Sequence, residues 1–265
     1  MKVLVTGSTG FIGRRIVDRL REAGFEMRIA SRHPERVEPA GDVVAMPGFD
    51  ATEDAFLAMM SGVTHVVHAA AQNNARDASG ADYMYPNGVL TGKLACGAAK
   101  GAGGRFIYLS SIRAVAGAGF NGTIDEKTIP APQCAYGRSK REGEIRTLEA
   151  FASRPTDATA LRLPPIYGEG MKGNLATLMR LGGMPMALSL PAAAFSGVRS
   201  LMSCEAAART AVYLLSRQQP LRPVYVACAL PPLPVLSIIR AFRDGYGYSL
   251  KLSKVPAGLM RAVLT

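Results

Sequence analysis

The sequence predicts an α/β fold: a doubly wound parallel sheet with helices on both faces, followed by a small C-terminal lobe. Three observations carry this expectation. Strand-like and helix-like segments alternate through the first two-thirds of the 265 residues. A glycine-spaced turn joins the first strand directly to the first helix, at Thr6 to Gly13. After Pro164 the texture changes, with Pro, Gly and Met becoming frequent and periodicity weakening through about residue 200.

The elements follow in order. Lys2–Thr6 is an apolar first strand, Phe11–Ala23 an amphipathic helix and Met27–Ala30 a second strand. Asp42–Met46 reads as a third strand, Thr52–Met60 as a helix and His65–Ala69 as a fourth strand. A helix over Tyr83–Lys100, strand Arg105–Ser110, helix Tyr136–Phe151 and a sixth strand at Leu161–Leu163 complete the alternation. Helix Glu205–Leu215 and strand Val224–Cys228 look like a return to the main sheet before a last excursion from Val235–Arg243 onward. The main domain is therefore placed at 1–163 plus about 201–228, and a substrate lobe at 164–200 plus about 229–265.

Composition narrows the function classes. With 48% hydrophobic and 19% charged residues the chain is built to fold, and no run approaches the roughly 18 apolar residues of a membrane span. The N-terminus has one basic residue, Lys2, and no apolar export signal, so a cytoplasmic protein without membrane partner is expected. Cys96, Cys134, Cys204 and Cys228 are far apart, which suggests reduced thiols and no metal site. The net charge of +11 raises a nucleic-acid partner. The arginines instead occur singly or in pairs (Arg14-Arg15, Arg19, Arg21, Arg28, Arg32, Arg36), without interleaved aromatic residues. A basic surface favouring anionic small substrates is expected, and no nucleic acid.

Thr6-Gly7-Ser8-Thr9-Gly10-Phe11-Ile12-Gly13 lies between an apolar strand and an amphipathic helix. Gly7 permits the tight turn, Gly10 lets backbone approach a phosphate, and Gly13 lets helix and strand pack closely. With the helix N-terminus supplying free N–H groups, this is the pyrophosphate site of a nicotinamide dinucleotide in a Rossmann arrangement, and Ser8, Thr9, Phe11 and Ile12 line it. The second strand ends Ala30-Ser31-Arg32-His33. A carboxylate there would accept from ribose hydroxyls, whereas Ser31 and Arg32 suit a 2′-phosphate, so NADP(H) is favoured over NAD(H). Asp50 suits either of two roles, accepting from the adenine amino group or capping helix Thr52–Met60. Ala69, Ala70 and Ala71 keep the path beside the cofactor narrow and open.

Tyr136 and Lys140 stand four apart, hence on one face of a helix, behind a strand that ends in Ser110-Ser111. A phenol titrates near pH 10, and a neighbouring cation favours the phenolate, bringing Tyr136 toward working range as an acid/base.

Taken together these residues resemble the extended short-chain dehydrogenase/reductases, specifically the NAD(P)-dependent epimerase/dehydratase family acting on nucleotide sugars. The likeness rests on Gly7, Gly10 and Gly13, on Val66-Val67-His68-Ala69-Ala70, and on Asn87-Gly88 with Thr91. It continues through Phe106-Ile107-Tyr108-Leu109-Ser110-Ser111, Tyr136 with Lys140, and Leu161-Arg162-Leu163-Pro164-Pro165-Ile166-Tyr167-Gly168. The resemblance implies that Ser111, Tyr136 and Lys140 are catalytic, Lys140 tuning the phenol and holding the nicotinamide ribose. It implies that Asn87, Leu109, Pro165 and Ile166 border the cofactor. Ser110, Ser111, Tyr167, Lys172, Asn174 and Arg199 would then meet a nucleotide-sugar substrate, with an ordinary helix start the other reading of Lys172-Gly173-Asn174. Relatives commonly dimerise through the two helices matching Tyr83–Lys100 and Tyr136–Phe151. Ala95, Ala98 and Ala99 suit such a homodimer or packing on the sheet.

Four departures bear on function. Counted back from Val115-Ala116-Gly117 the family's catalytic serine falls on Ile112; counted forward along the strand it falls on Ser111, which carries the hydroxyl. Pro86 interrupts a helix position, the acidic residue expected near Glu205-Ala206 is partly lost, and the chain stops at Thr265 where relatives continue, so the lobe is expected to be truncated. Ile112 and Arg113 stand where dehydratases carry an Asp-Glu pair, which argues against dehydration. The resemblance thus implies a UDP-glucose/galactose 4-epimerase-like enzyme working by transient hydride transfer. An NADPH-dependent reductase and a non-catalytic dinucleotide-binding subunit are the alternatives.

Overall fold

A computed structural model describes residues 1–37, 41–73, 80–184, 189–191 and 197–253. The strands are β1 (Lys2–Thr6), β2 (Glu26–Ser31), β3 (Asp42–Ala45), β4 (His65–His68), β5 (Phe106–Ser111), β6 (Ala158–Leu163), β7 (Ile166–Tyr167), β8 (Ser189–Pro191), β9 (Val198–Arg199), β10 (Met202–Ser203), β11 (Val224–Val226), β12 (Leu233–Pro234) and β13 (Lys251–Ser253). The helices are α1 (Phe11–Glu22), α2 (Glu53–Ala58), α3 (Gly80–Met84), α4 (Leu90–Gly101), α5 (Ala135–Ala150), α6 (Asn174–Gly182), α7 (Cys204–Ser216) and α8 (Val235–Gly245). Two compact units result, one from Met1–Pro164 with Cys204–Ala227, the other within Pro165–Ser203 and Cys228–Thr265. Residues 254–265 of the expected lobe lie outside the described residues.

The first unit is a seven-stranded parallel sheet in the order β11-β6-β5-β4-β1-β2-β3. Its strand order reverses between β1 and β4, so the loops after these strands diverge and leave a crevice at their carboxyl ends. Val3, Leu4, Val5, Val66, Val67, Phe106 and Ile107 are solvent-inaccessible, as a strand covered on both faces requires. Helices α1 and α7 pack together, and α2, α4 and α5 form a second layer over Leu4, Phe56, Leu94, Phe106, Tyr108 and Phe151. α1 turns Ile16 and Leu20 inward and ends with Arg19 and Arg21 in its last turn, where cations offset the helix dipole.

Several boundaries differ from the expectation for identifiable reasons. The helix expected over Tyr83–Lys100 is divided into α3, a π-helical turn at Tyr85–Val89, and α4. Pro86 has no N–H to give to the preceding turn, and the wider turn absorbs that loss while directing Asn87 inward, where it is fully buried. β6 begins three residues before Leu161, because Ala158, Thr159 and Ala160 are buried between β5 and β11 despite modest strand propensity. The alanines offered as a dimer face are occupied at home: Ala95 and Ala98 are 0% exposed in the sheet-facing core and Ala99 packs beside them.

In the second unit α6 and α8 share an apolar cluster of Leu175, Leu201 and Ile238, and Arg243 donates to the carbonyls of Gly182 and Ser249. α6 begins at Asn174, the helix start that was one of the two readings of Lys172-Gly173-Asn174. Among the described residues no helix is long and apolar enough to cross a membrane, and no group of three or more His, Cys, Asp or Glu is placed to hold a metal ion.

Gly143 of α5 is where helix, sheet and π-helical turn come closest: a Cβ there would sit 2.4 Å from both the Asn87 carbonyl oxygen and the Tyr108 hydroxyl. Gly143→Ala is expected to cost roughly 1–3 kcal/mol, read as a lowered urea midpoint.

Candidate functional site

The turn after β1 is shaped by backbone contact. Gly7 has φ +71°, and a Cβ on it would meet the Ala70 nitrogen at 2.5 Å, so the loops after β1 and β4 touch main chain to main chain. Gly10 N–H donates to the Gly7 carbonyl at 2.9 Å, and a Cβ on Gly13 would fall 1.9 Å from that same oxygen. α1 then begins at a Gly10 N-cap with no side-chain cap and no acidic residue in its first turn. The N–H groups of Phe11, Ile12 and Gly13 have no intrahelical acceptor, and α1 offers them to an anion. Ser8 is buried beneath this turn while Thr9 and Gly10 are exposed. A glycine cradle with uncapped donors fits a dinucleotide pyrophosphate.

At the end of β2 the Ser31 hydroxyl accepts from the His33 N–H at 3.1 Å. Arg32 is exposed and makes no side-chain hydrogen bond or ion pair with the other described residues, leaving it available to an anion. The nearby carboxylate of Glu35 pairs with His33 and Arg36. Asp50 is exposed and does not cap α2, whose N-cap is Thr52, so of its two expected roles the capping one is lost.

Beneath the two loops runs a buried polar chain that sequence reasoning did not single out. Ala70 N–H donates to Thr6 Oγ1 (3.3 Å), which meets His68 Nδ1 (2.6 Å); His68 Nε2 meets Thr91 Oγ1 (2.9 Å), which donates to the Asn87 carbonyl (2.8 Å). Because Thr91 spends its proton on a carbonyl, it accepts from His68, which assigns the imidazole hydrogen to Nε2 and makes Nδ1 the acceptor for Thr6. Burial, with the Lys140 charge adding to it, draws the His68 imidazole down to about 3, so it is neutral. The Asn87 side chain extends this chain to the segment after Ala71, bonding both the N–H and the carbonyl of Gln72 at 2.8 Å, and Ser139 Oγ at 3.0 Å. A histidine inside the apolar run Val66-Val67-His68-Ala69 was the available signal.

The hydroxyls expected to react, those of Ser111 and Tyr136, lie near each other at the end of β5. Ser111 Oγ accepts from the Arg113 N–H at 3.2 Å and lies near the Tyr136 phenol. Cys134 caps α5, its sulfur accepting from Gly137 N–H at 3.3 Å, and Tyr83 packs edge-on against Tyr136 with centroids 6.0 Å apart. Burial pushes the Tyr136 phenol up to about 12, while the nearby Ser111 hydroxyl and the Arg113 charge pull it back. Lys140 was expected to be the tuning cation. Its Nζ instead donates to the Leu109 carbonyl at 2.6 Å and lies 4.2 Å from the Tyr108 ring centroid. Burial brings the ammonium down to about 7 against the pull of Glu144. Leu109, expected beside the cofactor, therefore supplies the oxygen that holds Lys140.

Ser110 corrects a second expectation. Its hydroxyl is 5% exposed and donates to Glu144 Oε1 at 2.6 Å, so its proton is committed to a buried ion pair rather than offered to a substrate. Ser110 is bound further along α5, at Glu144, while Ser111, the last residue of β5, lies at the start of α5 beside Tyr136.

The other expected residues belong to the second unit. Pro165 and Tyr167 are exposed, Ile166 less so; the Pro165 carbonyl accepts from Met202 N–H at 3.2 Å, and Ile166–Tyr167 pairs with Met202–Ser203. Lys172 is exposed, Asn174 starts α6, and exposed Arg199 donates to the Val198 carbonyl at 2.8 Å.

The sequence model of the NAD dependent epimerase/dehydratase family matches residues 3–184. A UDP-glucose 4-epimerase from Vibrio cholerae is 32% identical over 198 residues, covering 69% of this chain and 58% of that protein. A ceramide reductase from Caulobacter vibrioides is 27% identical over 250 residues, covering 93% of this chain and 67% of its own length. The chain thus spans between about half and two-thirds of these relatives. Among solved structures, a UDP-N-acetylglucosamine 4-epimerase from Bacillus cereus superposes with a TM-score of 0.76 at 21% identity, covering 96% of this chain and 85% of that one. MoeE5 in complex with UDP-glucose and NAD has a TM-score of 0.75 at 22% identity, covering 96% and 86%. At these identities the structures show the shared fold.

The neutral state of His68 has a measurable cost. The unfolded chain takes up this proton near the ordinary value of 6.5 and the folded chain only near about 3, so stability falls as pH drops through that window. The expected limiting slope is about 1.4 kcal/mol per pH unit, seen in urea midpoints at successive pH values and flattened in His68→Gln.

Proposed function

The chain belongs to the NAD dependent epimerase/dehydratase family, and from that premise we propose that it is a nucleotide-sugar epimerase of the UDP-glucose/galactose 4-epimerase type. The observation that carries this reading is the placement of Ser111 beside the Tyr136 phenol at the end of β5, two strands from the glycine turn on the same carboxyl edge of the sheet. A dinucleotide held by Gly7, Gly10 and Gly13, with Ser8, Thr9, Phe11, Ile12, Ala69, Ala70, Ala71 and Asn87 around it, supplies reversible hydride acceptance.

The chain's own residues manage the proton. Tyr136, as the phenolate, takes the proton of the sugar hydroxyl as its carbon gives up hydride, and returns that proton to the oxygen when hydride comes back. Burial favours the protonated phenol in the free protein, so the phenolate needs a nearby cation. Ser111, beside the phenol, orients the sugar oxygen with its hydroxyl. Lys140, on the same face of α5, carries the positive charge that favours the phenolate half of the cycle once its ammonium turns from the Leu109 carbonyl. For the second unit the family resemblance alone supports Pro165 and Ile166 as dinucleotide contacts and Tyr167, Lys172, Asn174 and Arg199 as contacts of the nucleotide sugar, the two cations suiting a diphosphate. Neither residue after Ser111 is acidic, which supports epimerisation over elimination.

A second reading, an NADPH-dependent reductase, is favoured by unpaired Arg32 at the end of β2 and by the likeness to a reductase over 93% of this chain. Incubation of UDP-glucose with a trace of NAD, and in parallel with NADPH, separates the two. Conversion to UDP-galactose without accumulation of reduced nicotinamide is expected, and mole-for-mole loss of NADPH absorbance would overturn the epimerase. Tyr136→Phe is expected to lower turnover about 10³-fold while leaving the dinucleotide thermal shift intact. Arg32→Ala is expected to weaken NADP(H) binding about tenfold and leave NAD(H) unchanged, as measured by calorimetric titration.

A further inference from the structure

Glu144 stands four residues beyond Lys140 on α5, and so on the same side of the helix. Its side chain is completely buried, which a carboxylate tolerates only when its charge is matched. Arg162 of β6 matches it with two parallel bonds, Nε to Oε1 and Nη2 to Oε2, each 2.9 Å. Arg141 adds a bond of 2.9 Å to Oε2, and the Ser110 hydroxyl one of 2.6 Å to Oε1. Ser110 is flanked by Leu109, whose carbonyl receives Lys140, and by Ser111, whose hydroxyl meets Tyr136. The carboxylate therefore grips the strand between the two points where the reactive residues attach to it.

Lys140 is 1% exposed, and no carboxylate of the described residues hydrogen-bonds its ammonium. The titratable and charged groups around it are Glu144 on its own helix, Tyr108 on β5 beneath the ammonium and neutral His68 on β4, with Arg162 and Arg141 bound to Glu144. Burial opposes the charged form, and Glu144 is the anion that offsets it.

Resting on the roles assigned above to Ser111, Tyr136 and Lys140, we propose that Glu144 is a positioning residue. Held by Arg162, it locks the end of β5 against α5 and keeps the Lys140 ammonium charged. The cofactor-free protein, labelled with 13C-lysine, provides the test: the Lys140 Cε resonance is followed by NMR through a pH titration and identified by its loss in Lys140→Arg.

Glu144→Gln keeps an oxygen for Ser110 and Arg162 but removes the charge, and is expected to lower the Lys140 midpoint by about one pH unit, a tenfold loss of proton affinity. A midpoint that stays in place while stability falls reduces Glu144 to packing and overturns the proposal. Should that variant not fold, Glu144→Gln/Arg162→Gln removes both charges together and carries the same measurement. A smaller downward shift is then expected, and an unchanged or raised midpoint overturns the proposal. Ser110→Ala leaves the charge and releases the strand: an unchanged midpoint with turnover about tenfold lower at unchanged KM supports the grip on β5, and unchanged turnover overturns it. The titration needs neither cofactor nor substrate. A shifted midpoint in a chain that turns over no nucleotide sugar supports the Glu144 assignment and defeats the functional reading alone.

Discussion

Main-chain contact between the loops after β1 and β4 is the constraint around which the first unit is arranged. Gly7 abuts the Ala70 nitrogen and Gly13 abuts the Gly7 carbonyl, so there is no room at either glycine for a methyl group. That contact sets where α1 begins, and an α1 that begins on glycine leaves its first N–H groups without a cap. It also determines what lies beneath: two loops in van der Waals contact shield Thr6 and His68 from water, and their polar atoms must then find partners inside the protein. The chain from Ala70 through Thr6, His68 and Thr91 to Asn87 is the solution, and it ties the edge of the crevice to the π-helical turn at Pro86.

A second arrangement fixes α5 on the sheet, and it is electrostatic. Glu144 and Arg162 are buried at a desolvation cost that their close pairing offsets, and Lys140 is buried beside them. A bidentate guanidinium–carboxylate bond has one favourable geometry, so β6, β5 and α5 are held in one register where an apolar contact would tolerate sliding. Hydrophobic residues of the same volume would give similar stability and less definition. The position of the Ser111–Tyr136 pair, which joins the strand to the helix, benefits from that definition.

Much of this was legible in the chain. The alternation of strands and helices, the glycine spacing and the Tyr136/Lys140 pair are local patterns, and local patterns survive in one dimension. Asn87 was legible as a residue of interest but not in its task, because its partners Gln72 and Ser139 come from separate segments. Glu144 and Arg162 left faint signals, one a helical repeat of Lys140 and the other a lone charge in the strand Ala158–Leu163. Ser110 and Ser111 look alike in sequence, and only their tertiary partners separate the hydroxyl bound to Glu144 from the one beside Tyr136.

The sequence by itself determined the order of the elements, the glycine turn and the absence of an acid after β2, since each depends on the residue in place and its immediate neighbours. Tertiary structure alone decided which groups are buried together. It turned Lys140 toward the Leu109 carbonyl, kept His68 neutral, raised the Tyr136 phenol and divided the helix at Pro86. The reason is physical: charge states and side-chain directions depend on the dielectric and the partners that distant segments bring, and spacing along the chain carries neither.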